Sequence, residues 1–297
     1  MNWKPAQEPS RFPKWVPQIT RRPLRRCIKW GLIALTLMMA VSLFYFYLSL
    51  KYDLAKVEKM PERSVILDRN GDEFAFIHGE RRRLITRKEI PEVMVQALRA
   101  REDLHFPDHH GVDLKGLVRA TLRNIKDMSF TQGASTLTMQ LTRNSYDMRA
   151  KSLHRKMLEM AVTLRIEGRY EKDEILTHYL NRIYFGSGCH GVEEAAQTYF
   201  GRSLAELNTG ECAMLVGIIR GPHLFSPFRN IKGATAQRDE VLSRMVVCDF
   251  LSEGEKAEAE NDPIRLIPEE KRHVKSSYVR ESIRRQLTVI LEKNDIR

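Results

Sequence analysis

The sequence has few of the residues that metal, redox or disulfide chemistry requires. Its 297 residues include four cysteines, Cys27, Cys189, Cys212 and Cys248, widely spaced and never in a C-x-x-C pair. That spacing argues against a zinc site, a thiol redox centre or a disulfide framework, and reads as small buried hydrophobes. No H-E-x-x-H occurs. His105, His109 and His110 lie close together, but Pro107 between them spoils the helical spacing two metal ligands would need. His109 is therefore expected to hydrogen-bond rather than to coordinate. There is no internal repeat and no low-complexity tract. With 42% hydrophobic and 29% charged residues the chain is too apolar for wholesale disorder, and its length suits one sizeable domain with appendages.

The net charge of +11 would suit a nucleic-acid partner if it were spread over a domain, but it is not. Lys4, Arg11, Lys14, Arg21, Arg22, Arg25, Arg26 and Lys29 stand against Glu8 alone, so residues 1–29 carry +7 of it. Nucleic acid is thereby set aside. The tail runs directly into Trp30 to Leu50, a stretch without one charged residue and long enough to cross ~30 Å of hydrocarbon as a helix. A cleaved signal peptide is the rival; its apolar core is usually about 7–15 residues, and no clear small-x-small site follows here. The positive-inside rule then predicts a cytoplasmic N-terminus with everything beyond the span outside. Trp30, Tyr45 and Tyr47 near the ends suit the two interfaces.

Past the span, residues 51–63 read as a polar stalk, and Ser64 to Asp68, the turn Arg69-Asn70-Gly71 and Glu73 to Ile77 have the chemistry of a β-hairpin. From Pro91 the pattern turns helical, with Met94, Ala97 and Leu98 on one side. Ser203-Leu204-Ala205-Glu206 is a capping box, Ser152 is a cap for the helix after it, and Asp173 precedes the apolar series Ile175, Leu176, Tyr179, Leu180, Ile183. Glycines at 186, 188, 191, 201, 217 and 221 predict tight turns. After Phe250 the composition becomes acidic and polar, as in a linker, before a last helical pattern from Tyr278 to Leu291. The boundaries are a basic tail over 1–29, a membrane helix over 30–50, stalk and hairpin over 51–88, a main domain over 89–250, and linker with C-terminal helix over 251–297.

Three stretches carry chemistry. In Glu102-Asp103-Leu104-His105-Phe106, Glu102 follows Met94 and Leu98 by fours and so continues the edge of an apolar face. Partial loss of water there would raise its pKa and suit a general base or acid; a helix-end ion pair is the alternative. Asp103 points about 100° away and braces the loop. In Gln132 to Gln140, followed by Arg143 and Asn144, Ser135, Thr136, Thr138 and Gln140 offer hydroxyls and an amide behind a glycine. With Arg143 they can donate to phosphate or sugar oxygens, or equally cap a helix. In Arg155-Lys156-Met157-Leu158-Glu159, the apolar stripe is Leu153, Met157, Met160 and Leu164, which places Arg155 and Glu159 toward water or a cleft. They are either an exposed i,i+4 pair or a carboxylate beside two cations, suited to a diphosphate and its Mg2+.

Taken together and in order, these residues resemble the motif set of the peptidoglycan glycosyltransferases, the polymerase modules of bifunctional penicillin-binding proteins and their monofunctional relatives. E-D-x-x-F-x-x-H-x-G is met by Glu102, Asp103, Phe106, His109 and Gly111, and G-x-S-T-x-T-x-Q by Gly133, Ser135, Thr136, Thr138 and Gln140. R-K-x-x-E is met by Arg155, Lys156 and Glu159 with Glu167 beyond, and a fourth motif by Tyr179-Leu180-Asn181 through Gly186 to Gly191, Ala195 and Tyr199. The resemblance covers residues 62–250. Ala134 stands for the family's usual second glycine and Arg143 for a common lysine. No Ser-x-x-Lys or Lys-Thr-Gly occurs, so the transpeptidase of the bifunctional relatives is not expected in this chain.

The resemblance implies a mainly α, lysozyme-like glycosyltransferase domain with a small β-hairpin, following an N-terminal transmembrane helix. It implies a single-pass protein of the bacterial inner membrane whose domain works on the periplasmic side. The substrates it implies are lipid II and the growing glycan on undecaprenyl diphosphate, and the partners are the membrane and other cell-wall synthesis proteins. Glu102 would be the general base, and Glu159, Arg155, Lys156 and Arg143 would hold the departing diphosphate. Asp103, Phe106, His109, Ser135, Thr136, Thr138, Gln140, Asn144 and Asn181 would complete the substrate site. No cofactor is obligatory; a divalent cation such as Mg2+ is the one that Glu159 could hold. A hydrolase of similar shape and a silent membrane scaffold are the rival functions.

Overall fold

The computed structural model describes residues 21–59, 64–67, 69, 73–78, 83–126, 135–148, 150 and 152–268, and a few helical positions between 282 and 290. The start of the basic tail, the turn at Asn70-Gly71, Gln132 to Ala134 and most of the helical pattern from Tyr278 to Leu291 lie outside the described residues. The described part is mainly helical.

Helix α1 (Arg21–Ser49) is exposed along most of its length, and its stretch Ile28–Ser49 is long and apolar enough to cross a membrane. Strands β1 (Ser64–Leu67) and β2 (Glu73–His78) pair antiparallel. The chain continues through α2 (Glu92–Arg101), α3 (Leu114–Lys126), α4 (Leu137–Ser145), α5 (Leu153–Glu167), α6 (Lys172–Arg182), α7 (Val192–Phe200), α8 (Thr209–Ile218), α9 (Ile231–Val247) and α10 (Glu253–Asn261).

Helix α8 is the centre of the core, buried from Gly210 to Ile218 and packed against α2 and α9. Gly217 is not in a turn, as its residue type suggested, but inside α8. A Cβ there would meet the Gln237 backbone at 2.9 Å, so glycine is what lets α9 approach. The predicted apolar face of α2 is present, with Met94, Ala97 and Leu98 fully buried; removing such a leucine typically costs ~2–5 kcal/mol. Cys189 and Cys212 are buried, and burial pushes the Cys212 thiol up to about 12.

Two segments differ from their sequence-based description. The acidic stretch after Phe250 is not a plain linker: Ser252 caps α10, which packs on α9 and buries Ala259 beside Gly210 of α8. Residues 51–59, the described part of the polar stalk, do not stand free, because Leu54 and Val57 are buried in a short 3-10 turn, Leu54–Val57, against the domain. Two leucines on α5 also depart from the stripe. Leu153 and Leu164 are 78% and 52% exposed, while the buried face is Leu158, Glu159, Val162, Thr163 and Ile166.

Candidate active site

Helix α2 ends at Glu102, which is half-buried at its C-cap. Glu102 Oε2 accepts from Gln140 Nε2 on α4 at 2.8 Å, and Gln140 Oε1 accepts from the Tyr179 hydroxyl on α6 at 3.1 Å. This chain fixes which way the Gln140 amide faces, since one end needs a donor and the other an acceptor. Tyr179 is fully buried, which, with the negative charge of Glu102, raises its pKa well above the usual value. Its proton is therefore retained for Gln140. Glu102 Oε1 accepts no bond among the described residues.

Asp103 is buried and braces the loop as its position suggested. Both its oxygens meet His109 Nε2 at 3.0 Å, and Oδ2 also accepts the Leu137 amide at 3.0 Å, an orphan donor of the first turn of α4. His109 Nδ1 accepts from Gly111 N at 3.1 Å, so Nε2 carries the proton toward Asp103. Thr136 caps α4 through the Met139 amide and donates to the Gly111 carbonyl. The first and second sequence motifs are thus one hydrogen-bonded unit. Phe106 is buried in it with Lys172 Nζ 4.6 Å from its ring centre, and Lys172 also donates to the His109 carbonyl and to Glu167. Thr138, fully buried, donates to Glu167 at 2.5 Å.

Glu159 is where the sequence reading needs correction. It does not face water: its side chain is 0% exposed, and three cations converge on it. Arg155 pairs with Oε2, Lys156 Nζ lies 3.2 Å and Arg143 Nη2 3.3 Å from Oε1. The i,i+4 reading of Arg155 and Glu159 as a solvated pair fails because α4 brings Arg143 over this face of α5. Ser135 Oγ accepts from Lys156 at 3.0 Å and Arg143 at 3.4 Å. Burial lowers the pKa of Lys156, the pull of Glu159 opposes this, and the nearby Arg143 and Arg155 lower it further. The Arg143 Nε donor is buried and has no partner among the described residues. The cluster has one negative and three positive charges, leaving it two positive charges in excess.

Gln140 and Arg143 are three apart on α4, so their Cβ atoms are neighbours at about 5–6 Å. Through them Glu102 and Glu159 are held along one side of one helix. Asn144, on the same helix, is exposed. Asn181 takes a different position: its amide donates to the Ile85 carbonyl at 2.9 Å and accepts the Ile85 amide at 3.0 Å, clamping the irregular segment that leads toward α2. Tyr179 reads from sequence only as an apolar helix position and the first residue of the Tyr-Leu-Asn motif, and no sequence signal singles out Lys172. A cavity of about 720 Å3 lies elsewhere, between the end of α7, the start of α8 and residues 262–268, and none of these groups lines it.

Known proteins bear on this arrangement. The family model described as Transglycosylase matches residues 70–246. A Cupriavidus necator protein provisionally named a transglycosylase is 42% identical over 178 residues, covering 60% of this chain and 77% of that one. Penicillin-binding protein 4 of Bacillus subtilis is 37% identical over 220 residues, 73% of this chain and 35% of that one. Penicillin-binding protein 1A of Escherichia coli is 43% identical over 170 residues, 57% of this chain and 20% of that one. The chain thus spans about a third or less of the length of these penicillin-binding relatives.

Proposed function

The chain belongs to the transglycosylase family, and from that premise we propose that it is a peptidoglycan glycosyltransferase, polymerising lipid II into β-1,4-linked glycan with release of undecaprenyl diphosphate. The observation that carries the reading is the placement of a half-buried carboxylate, Glu102, along α4 from a cation cluster in excess over its own carboxylate. A hydrolase needs paired acids but has no diphosphate to hold.

In this reaction Glu102 removes the proton from the acceptor's 4-hydroxyl as that oxygen attacks the anomeric carbon of the donor. Gln140 holds Oε2 and leaves Oε1 to take the proton. The bond to the diphosphate breaks on the opposite face, so the α-linked donor becomes a β-linked product by inversion. Charge grows on the leaving diphosphate, and Arg143, Arg155 and Lys156 lie where that growth strengthens their attraction. Glu159 keeps the three cations gathered before substrate arrives and so lowers the reorganisation that binding requires. Ser135 and the Arg143 Nε add donors for phosphate oxygens. Thr136, Thr138, Asp103, Phe106 and His109 act here by shaping the loop and helix rather than by touching sugar.

A divalent cation does not fit beside Glu159. Its oxygens already meet Arg155, Lys156 and Arg143, and three positive side chains repel Mg2+ rather than bind it. No step is routed through a metal.

The proposal includes the lysozyme-like arrangement with the β1–β2 hairpin at its entry, and domain bounds close to those read from the sequence. It also includes a single-pass topology with the N-terminal basic tail in the cytoplasm and the domain on the periplasmic side, since both substrates are lipid-anchored. The deciding experiment supplies purified protein with fluorescent lipid II and resolves the products by gel. Glycan ladders are expected; unchanged lipid II with a folded protein would overturn the reading.

A further inference from the structure

Seven consecutive or near-consecutive backbone carbonyls at the junction of α1 and the domain are gripped by four side chains. Arg165 on α5 donates to the carbonyls of Ser49 and Tyr52, the first of which, at the C-terminal end of α1, also accepts the Tyr52 amide at 3.0 Å. The Tyr146 hydroxyl donates to Asp53 O at 2.9 Å, and the single proton of the Tyr170 hydroxyl is shared between Leu54 O at 3.1 Å and Glu58 at 2.6 Å. Arg182 Nη2 on α6 lies 2.9, 3.0 and 3.1 Å from the carbonyls of Lys56, Val57 and Lys59. Arg182 is only 8% exposed, so this charge is kept in the interior by the carbonyls it meets.

A second contact binds the apolar helix to the same element. The Tyr45 hydroxyl, one turn before the end of α1, lies 3.1 Å from His154 Nδ1 in the first turn of α5. Helix α1 is therefore attached to α5 at both ends of the latter, at His154 and at Arg165. Between these points lie Arg155, Lys156 and Glu159.

We propose that Arg165 and Arg182 are positioning residues which make residues 50–59 a rigid strut, so that α1 fixes the height and tilt of the α5 cation cluster relative to the lipid surface. The proposal rests on the polymerase reading in one respect, that the cluster must meet a diphosphate held at a fixed depth by its lipid chain. A flexible tether would keep the protein on the membrane equally well but leave the cluster to find that depth by chance. Misplacement of about 1 Å from a distant change can cost ~10²-fold in rate. In detergent micelles no bilayer plane sets the depth, so the constraint is relaxed there.

Three full-length variants test this: Arg165→Gln, Arg182→Gln, and an insertion of two glycines between Leu50 and Lys51, which parts the Ser49 and Tyr52 carbonyls that Arg165 holds together and leaves the contacts of residues 53–59 in place. All three should sediment with membranes. The insertion should polymerise lipid II in micelles close to the wild-type rate but at least about tenfold more slowly in proteoliposomes. A wild-type rate for the insertion in proteoliposomes would overturn the positioning role. If the wild type makes no glycan in either medium, it is the polymerase reading that has failed, and hydrogen exchange then decides the strut alone. Amides of residues 51–59 should be protected in the wild type and lose protection in Arg182→Gln. Exchange at the rate of an unstructured peptide in the wild type would remove the strut.

Discussion

Gln140 donates to Glu102 across 2.8 Å, and that bond joins the end of α2 to the middle of α4. Because the same amide is held at its other end by Tyr179, the direction of the Glu102 carboxylate depends on a buried hydroxyl two helices away. The proposed base is oriented from behind, with its free oxygen left for a proton.

Glu102→Gln keeps the shape and can still accept from Gln140, but cannot take a proton. Loss of a general base usually costs ~10²–10⁴ in rate. Polymerisation of labelled lipid II should fall by that order while the melting temperature stays close to wild type. Near-normal glycan synthesis by this variant would reassign the base.

Tyr179→Phe removes the donor that orients Gln140 and leaves Oε1 without its partner. The loss of such a bond is worth about 0.5–1.5 kcal/mol of stability. Turnover should fall at saturating substrate with little change in KM, because only the aim of Glu102 is disturbed. A change in KM alone would mean that Tyr179 shapes binding instead.

Glu159→Gln takes the one negative charge from among Arg143, Arg155 and Lys156. Breaking a buried ion pair from one side typically costs ~3–5 kcal/mol, here through three cations left facing one another. Urea unfolding should show a loss of that size. A loss below about 1 kcal/mol, the scale of an exposed pair, would place Glu159 on the solvated surface after all.

Lys156 offers the opposite sign. Its folded pKa is lowered, chiefly by burial, so the charged form is disfavoured by folding at neutral pH and stability would be regained only as pH rises through that pKa. Lys156→Met should therefore melt no lower than wild type at pH 7, while polymerisation slows by roughly 10²-fold as a charge-assisted contact to the leaving group is lost. Lower stability together with full activity would invert the assignment of this residue.

Inorganic pyrophosphate provides a readout that needs no turnover. It should raise the melting temperature of the wild type, less so at high salt, and have little effect on Arg155→Ala, since anion binding here depends on the excess positive charge. An equal rise in both proteins would exclude Arg155 from the phosphate site.

What the sequence determined by itself is local and chemical. An uncharged run long enough for a bilayer, the cap at Ser152, the apolar face through Met94 and Leu98, and the ordered residues of four motifs are all consequences of spacing along one chain. Tertiary structure decided which side of each helix has a neighbour. Periodicity put Leu153 and Leu164 on a buried stripe and Glu159 opposite, because a helical wheel fixes angles about an axis but not where the next helix lies. The arrival of Arg143 from α4 turned that face inward and made Glu159 a buried carboxylate among cations. In the same way the polar composition of residues 51–63 reads as a stalk, until Arg165, Tyr146, Tyr170 and Arg182 meet carbonyls of its first nine residues. Backbone acceptors look alike in every sequence, so only the fold decides which of them a distant side chain reaches.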